Sequence, residues 1–247
     1  LLMRQTVEKI LVENGKVKGV LVRDRKTKEV RTEPTDEIVA NVTVQNLVQL
    51  LGKNAPPGYK QRVDKLPEAS GAFVVYLGVD ETAIPLGCPP HLQFLYDRNG
   101  SIGENNSLFV SVSRPGDGRA PEGQGTIIAS SFVDPKPWWL SQDYEAMKQK
   151  FTQEAIAHLG QFFHLTPETI LYQEAATPRT FARYTARDRG VVGGIGQRVP
   201  TFGPFGFANR TPIQHLWLVG DSTHPGEGTA GVSYSALTVV RQIEATK

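Results

Sequence analysis

The residues of this chain best suited to chemistry gather near its end, in the run Leu216-Trp217-Leu218-Val219-Gly220-Asp221-Ser222-Thr223-His224-Pro225-Gly226-Glu227-Gly228-Thr229-Ala230-Gly231-Val232. Leu216 to Val219 form a short apolar run that suits a buried strand. Gly220 lets the chain turn, and Asp221 follows at the strand's carboxyl end, where open α/β sheets hold their ligands. A carboxylate there accepts hydrogen bonds from sugar or ribityl hydroxyls. Gly226, Gly228 and Gly231 leave the main chain bare toward a ligand, and Pro225 stiffens the turn. Val232, Ala236, Val240 and Ile243 recur at helical spacing and are expected to face a core. The first N–H groups of that helix, near Gly231 and Val232, have no partner inside it and carry partial positive charge. An anion, or a ring that becomes anionic on reduction, is stabilised at such a point. The alternative is a plain strand–turn–helix connection with Asp221 as a solvated turn residue.

Residues 211–232 resemble the C-terminal flavin signature of the phytoene desaturase family, which includes carotenoid desaturases, carotenoid isomerases and retinol saturases. The wording from Gly220 to Ser233 is most similar to bacterial, especially cyanobacterial, carotenoid desaturases of the C-3′,4′ type. The resemblance implies FAD as cofactor, with Asp221 at its ribityl or pyrophosphate portion. It places the backbone around Gly231 and Val232 at the pyrimidine edge of the isoalloxazine. The implied cofactor-binding set is Gly220, Asp221, Pro225, Gly226, Gly228, Gly231 and Val232. The implied activity is FAD-dependent desaturation of a long apolar polyene, a carotenoid. A carotenoid isomerase or a retinol saturase-like reductase shares the motif and is the enzymatic alternative; a non-catalytic binding module is the alternative of another class. No dedicated acid–base pair stands out.

An FAD site of this kind also needs a Gly-x-Gly-x-x-Gly turn opening an N-terminal βαβ unit, with an acidic residue after its second strand. No such N-terminal unit is found in the 247 residues. The cluster Gly193, Gly194 and Gly196 precedes no acidic strand of the right kind. The chain therefore reads as the C-terminal half of a family member, with an incomplete FAD site, inactive alone, whose natural partner is the missing N-terminal half. The expected order is a flavin-domain middle segment (1–55), a substrate-domain segment (56–190) and a closing flavin-domain segment (191–247). The fold class is α+β (α/β): incomplete FAD-binding segments flanking an antiparallel-sheet substrate domain with a long helix.

The elements that must position these residues follow from pattern. Val7–Val12 and Val17–Arg23 read as a hairpin turning at Gly15, with further strands at 29–32 and 37–41 and a helix over 44–51. The hairpin resembles the family's middle flavin segment, which implies a place for Val7 near the adenine. Asn54–Gly58 reads as a Pro/Gly-rich connection. Strands over 69–80, 92–96, 107–113 and 126–133 come in series without helices between them, which suggests an antiparallel sheet. A helix of about 20 residues is expected from Ser141, its N-cap, to Phe163, with Met147, Phe151, Ala155 and Leu159 facing the sheet. A strand at 169–176 follows. Thr177–Thr185 and the glycines after it resemble the family's stretch bordering substrate and flavin, which brings Arg183 and Tyr184 into consideration at the site; a solvated basic face is the alternative.

Composition narrows the classes. The hydrophobic fraction of 39% and charged fraction of 21% suit a globular protein with a sizeable core. A net charge of +2, with no basic cluster interleaved with aromatics, argues against nucleic acid. The single cysteine, Cys88, excludes an internal disulfide and a cysteine-based zinc cluster. The five histidines lack close ligand spacing, so no metal site is expected. No apolar run approaches the ~20 residues that span a bilayer. The expected location is cytoplasmic, with peripheral contact to the membrane that dissolves a polyene.

Overall fold

The computed structural model describes residues 1–113, 116–201 and 203–246, which divide into two compact units, 1–69 with 192–247, and 70–191. In the first unit, alternating β-branched residues build β1 (Gln5–Glu13) and β2 (Lys16–Asp24), joined by a tight turn in which Asn14 and Gly15 both have positive φ. β3 (Val30–Pro34) pairs with β2, and the three-stranded sheet is antiparallel. β4 (Ile38–Ala40) leads into α1 (Val44–Leu51), where the Thr43 side chain caps the Asn46 N–H. α2 (Pro57–Asp64) opens on a proline, so the expected Pro/Gly connection contains a helix start. A proline in the first helical turn sacrifices only an N–H that has no helical partner.

The second unit is a five-stranded antiparallel sheet of β5 (Gly71–Asp80), β6 (His91–Leu95), β7 (Ser107–Val112), β8 (Gln124–Val133) and, after two intervening helices, its edge strand at 170–176. Between β8 and that edge strand lie α3 (Pro135–Leu140) and α4 (Tyr144–Leu159); the edge strand is β9 (Ile170–Ala176), followed by α5 (Pro178–Thr185). The sheet order is β6-β7-β8-β5-β9. Alternate residues of β5 and β8 (Phe73, Val75, Leu77, Ile127, Ala129) enter the core with Trp138, Ala155 and Leu159 from the helices. Phe73 stacks on Trp138 with ring centroids 5.7 Å apart. Burial of each Val, Leu, Ile or Phe in this set contributes roughly 1.5–3 kcal/mol, and of each Ala correspondingly less.

The long helix expected from Ser141 is α4, shorter at both ends, and a separate short helix, α3, comes before it. Asp134 caps α3 through the Lys136 N–H, and Ser141 ends that helix in extended conformation. Asp143, not Ser141, caps α4 by accepting from the Ala146 N–H. Pro135 and Pro137 fall in the first turn of α3, where a proline forfeits no helical N–H bond, and the extended Ser141 separates that helix from α4.

The first unit closes with β10 (Leu216–Leu218), parallel to β4 with Trp217 opposite Val39, and α6 (Thr229–Glu244). Its core joins Ile10, Val17, Val44, Leu47, Leu51, Phe207, Leu216 and Leu218. The expected inner face of α6 is displaced: Gly231, Ser235 and Val239 are buried, whereas Ala236 and Val240 are exposed. Polar bonding by Ser235, described next, sets that face. Hydrophobicity alone did not mark it.

Candidate functional site

β10 delivers the turn. Its three residues are fully enclosed, and beside it the buried side chain of Asn209 donates to the Leu218 carbonyl at 2.9 Å. The same Nδ2 reaches Ser235 Oγ on α6 at 2.9 Å and Thr223 Oγ1 at 3.3 Å. Thr223 and Ser235 hydroxyls are 2.7 Å apart, the Thr223 hydroxyl donates to the Gly220 carbonyl, and the Gly220 N–H donates to Ser235 Oγ. Strand end, turn and helix are therefore tied through a buried polar network whose members satisfy one another.

Each expected site residue falls on this strand–turn–helix. Gly220 is buried at the strand end, Asp221 follows half-buried, and Pro225 is half-buried ahead of the buried Gly226. Gly228 is the exposed N-cap residue of α6, Gly231 is buried in its first turn and Val232 is half-buried. Gly231 must be glycine: a Cβ there would stand 2.5 Å from the Gly226 carbonyl oxygen, so the turn folds directly onto the helix start. Around Gly228 there is open space instead.

The turn has groups to offer a ligand. α6 has no side-chain cap, and the N–H groups of Thr229, Ala230 and Gly231 have no acceptor among the described residues. Ser222 is 1% exposed and its hydroxyl has no hydrogen-bond partner. Gly194 packs against this point so closely that a Cβ would meet the Ser222 hydroxyl and amide nitrogen. A carboxylate, an orphaned hydroxyl and free helix-end amides suit a ligand that carries both hydroxyls and negative charge.

Several of these participants escaped sequence reasoning. Asn209, Thr223 and Ser235 carry no motif, although the four-residue step from Gly231 through Ser235 to Val239 marks a face of small residues. The literal spacing Gly226-x-Gly228-x-x-Gly231, between a strand and a helix, was also legible. Val7 is an exposed residue of β1. Arg183 and Tyr184 belong to the other compact unit, on α5, with the guanidinium over the tyrosine ring at 5.5 Å and Tyr184 largely exposed. Cys88 packs against the core of that second unit; burial pushes its thiol up, which keeps it protonated at neutral pH.

At the opposite end of β10, Glu37 accepts from Trp217 Nε1 at 2.7 Å and lies 2.5 Å from His215 Nδ1. Partial burial pushes the Glu37 carboxyl up, but the His215 and Trp217 bonds outweigh it and hold the group below its ordinary range. This contact fixes the register in which β4 and β10 run parallel.

Comparison with known proteins follows the same direction. No family model matches the chain. It is 29% identical over 255 residues to a prolycopene isomerase of Daucus carota, covering 98% of this chain and 40% of that protein. It is 25% identical over 250 residues to a zeta-carotene-forming phytoene desaturase of Myxococcus xanthus, covering 96% and 46%. The chain thus spans about 40% of the length of the first curated relative. Among solved structures, an oxidoreductase from Methanosarcina mazei aligns with a TM-score of 0.65 at 21% identity over 96% of this chain and 49% of its own. A Bacillus halodurans glycerol-3-phosphate dehydrogenase complexed with FAD aligns with a TM-score of 0.52 at 16% identity, over 99% and 39%.

The fold is the mixed α+β type of these oxidoreductases. By sequence, the chain is similar to prolycopene isomerases and to phytoene desaturases alike.

Proposed function

We propose that this chain is the C-terminal part of an FAD-dependent enzyme that desaturates a carotenoid. The observation that carries the reading is the Gly220–Val232 turn: a carboxylate, an orphaned buried hydroxyl and unpaired helix-end amides within one short stretch. In this reading the first compact unit is the flavin side and the second the substrate side.

Flavin held there would supply hydride-acceptor chemistry: one allylic carbon of the polyene would lose hydride and its neighbour a proton as the new double bond forms. The chain's own contribution is to bind and orient. Asp221 accepts hydrogen bonds from the ribityl hydroxyls, and the Ser222 hydroxyl gains a partner. Gly226, Gly228 and Gly231, stiffened by Pro225, bring main chain close to the ligand. α6 starts at Thr229, two residues before the expected Gly231, and the Val232 N–H is bonded to the Gly228 carbonyl, so the positive potential for a reduced ring would come from the amides of Thr229 to Gly231.

We also propose that the working site needs a preceding N-terminal segment with a Gly-x-Gly-x-x-Gly βαβ unit, so that this chain alone is inactive. Two facts support it: the prolycopene isomerase relatives are more than twice as long as the matched region, and among the described residues β4 has a strand neighbour on one side only. A two-stranded parallel sheet is a small fragment of the covered sheets in which parallel strands normally occur. The substrate being a membrane-dissolved hydrocarbon, the enzyme is placed in the cytoplasm with peripheral membrane contact. No helix among the described residues is long and apolar enough to cross a membrane.

The test is flavin content and product analysis of the longer protein with lycopene-type substrates. Bound FAD and a product with more double bonds support the proposal. An unchanged double-bond count with altered geometry selects isomerisation instead, as the prolycopene isomerase relatives would suggest, and a gain of hydrogens selects the saturase-like reductase. A longer protein that binds no flavin and changes no polyene leaves the binding module as the reading.

A further inference from the structure

The first compact unit holds a cleft at the amino end of β10, the far end of that strand from the Gly220–Val232 turn. It encloses about 190 Å³, bounded by the loop 210–217 and by Thr246 just past α6. That volume takes a small ion or ester; larger ligands need more room. Among the described residues, Arg210 lines the cleft and no carboxylate does.

Two side chains in its wall are set up as donors. The Arg210 guanidinium lies 5.1 Å from the centre of the Trp217 ring and makes no ion pair among the described residues. Trp217 is 4% exposed, so its ring is a fixed platform for that cation. His215 stands at φ 62°, a left-handed conformation uncommon for a residue other than glycine. Its Nδ1 is held by Glu37 Oε1, and the second carboxylate oxygen accepts from Trp217 Nε1. Both Glu37 oxygens are engaged and Glu37 does not line the cleft, which leaves His215 Nε2 for a ligand. A ring held by such backbone in the wall of a cleft points to use more than to packing.

The surrounding charges favour an anion. Glu37 on β4 favours the doubly protonated imidazole, which donates from Nε2. Lys16, at the start of β2, bridges to Gln214 in the cleft wall and attracts the Glu37 carboxylate. The carbonyl end of α6 also lies here, but its Ile243 carbonyl already accepts from the Thr246 amide and hydroxyl.

We infer that this cleft binds a small tetrahedral oxyanion, a phosphate or sulfate group, between the Arg210 guanidinium and His215 Nε2. The guanidinium offers paired N–H donors that match two oxygens, and the imidazolium adds a further charge-assisted bond. The inference goes beyond the flavin reading and does not depend on it, since the cleft lies at the other end of β10.

The experiment is isothermal titration calorimetry of the chain with sodium sulfate, which stays a dianion while a histidine titrates between about pH 8 and about pH 6. Sodium chloride at matched ionic strength is the control, and inorganic phosphate and phenyl phosphate follow. The expected result is sulfate binding that tightens several-fold as pH falls across that range. Arg210→Ala should weaken it at least about tenfold. His215→Asn tolerates the left-handed backbone and keeps a donor to Glu37, so it should fold, bind more weakly and lose the pH dependence. Binding of phenyl phosphate supports a phosphate ester as the source of the group, and binding of the inorganic ions alone supports the free ion. No binding beyond the chloride control, an affinity unchanged by Arg210→Ala, a pH dependence that survives His215→Asn, or displacement of sulfate by FAD would overturn the inference. Circular dichroism of each variant identifies any loss of fold, and failure of FAD to bind would leave the sulfate result intact.

Discussion

Thr223 and Ser235, one in the turn and one on the last helix, place their hydroxyls 2.7 Å apart in the interior. Asn209 and the Gly220 amide complete the set. The turn that carries Asp221 is anchored by this cluster at Thr223, which bonds the Gly220 carbonyl on one side and the last helix on the other. Ser235→Ala removes one member and leaves buried donors without an acceptor. The expected loss is about 1–3 kcal/mol of stability, read as a lower denaturant midpoint, and Ser235→Thr should recover part of it if the pocket admits the extra methyl.

Asp221→Ala tests the ligand-facing carboxylate. In the longer protein it should lower flavin content with little change in unfolding temperature, because a strand-end carboxylate serves a ligand more than a core. Flavin retained in full after the substitution would contradict the role proposed for it.

Gly231→Ala tests the fold of the turn itself. An added methyl would lie 2.5 Å from the Gly226 carbonyl oxygen, so the turn must move. The expected cost is about 1–3 kcal/mol, together with weaker flavin retention. Unaltered stability would mean that the helix start is not pressed against Gly226.

Acid should loosen the β4–β10 pairing. Bonds from His215 and Trp217 hold the folded Glu37 carboxyl below its ordinary value of 4.5. A depressed carboxylate stabilises the fold fully above its unfolded value, and that contribution disappears as pH falls through the lower folded value. Lys16 adds a weaker attraction in the same sense. Stability measured against pH should therefore fall more steeply below 4.5 in the native chain than in Glu37→Gln. Parallel curves for the two proteins would remove the carboxylate from this account.

Arg179 binds within the second unit: its Nε donates to the Trp138 carbonyl at 2.7 Å and its guanidinium lies 4.4 Å from the centre of the Tyr144 ring. Arg179→Ala should cost about 1–2 kcal/mol through the lost bond and stacking, measured as a lower midpoint. Lys at this position should restore little, since it lacks the planar fork.

The strands of the five-stranded sheet were legible because one face is buried and side chains alternate with it: on β8, Ile127, Ala129 and Val133 inward, Ile128 and Phe132 outward. The helices were harder where proline begins them. Pro57 and Pro178 look like interruptions in a sequence, yet each stands in the first helical turn. The inner face of α6 was misjudged because Ser235, a polar residue, occupies its middle through bonds to residues far away in the chain. Parallel pairing of β4 with β10 joins strands of three residues on either side of the whole second unit, and no local pattern announces such a partnership. At the candidate site, Asp221 and the glycines were readable from spacing; the hydroxyls that hold them were not.

The first unit is made of two stretches separated by 122 residues that form the second, Ser70–Val191. During synthesis the intervening unit can finish folding while the early stretch still lacks β10 and α6. That early stretch must keep its apolar surface from aggregating until the carboxyl-terminal part emerges. A ribosome stalled before Leu216 would carry a completed antiparallel sheet and an unfinished first unit, with chaperones as the natural custodians of the gap.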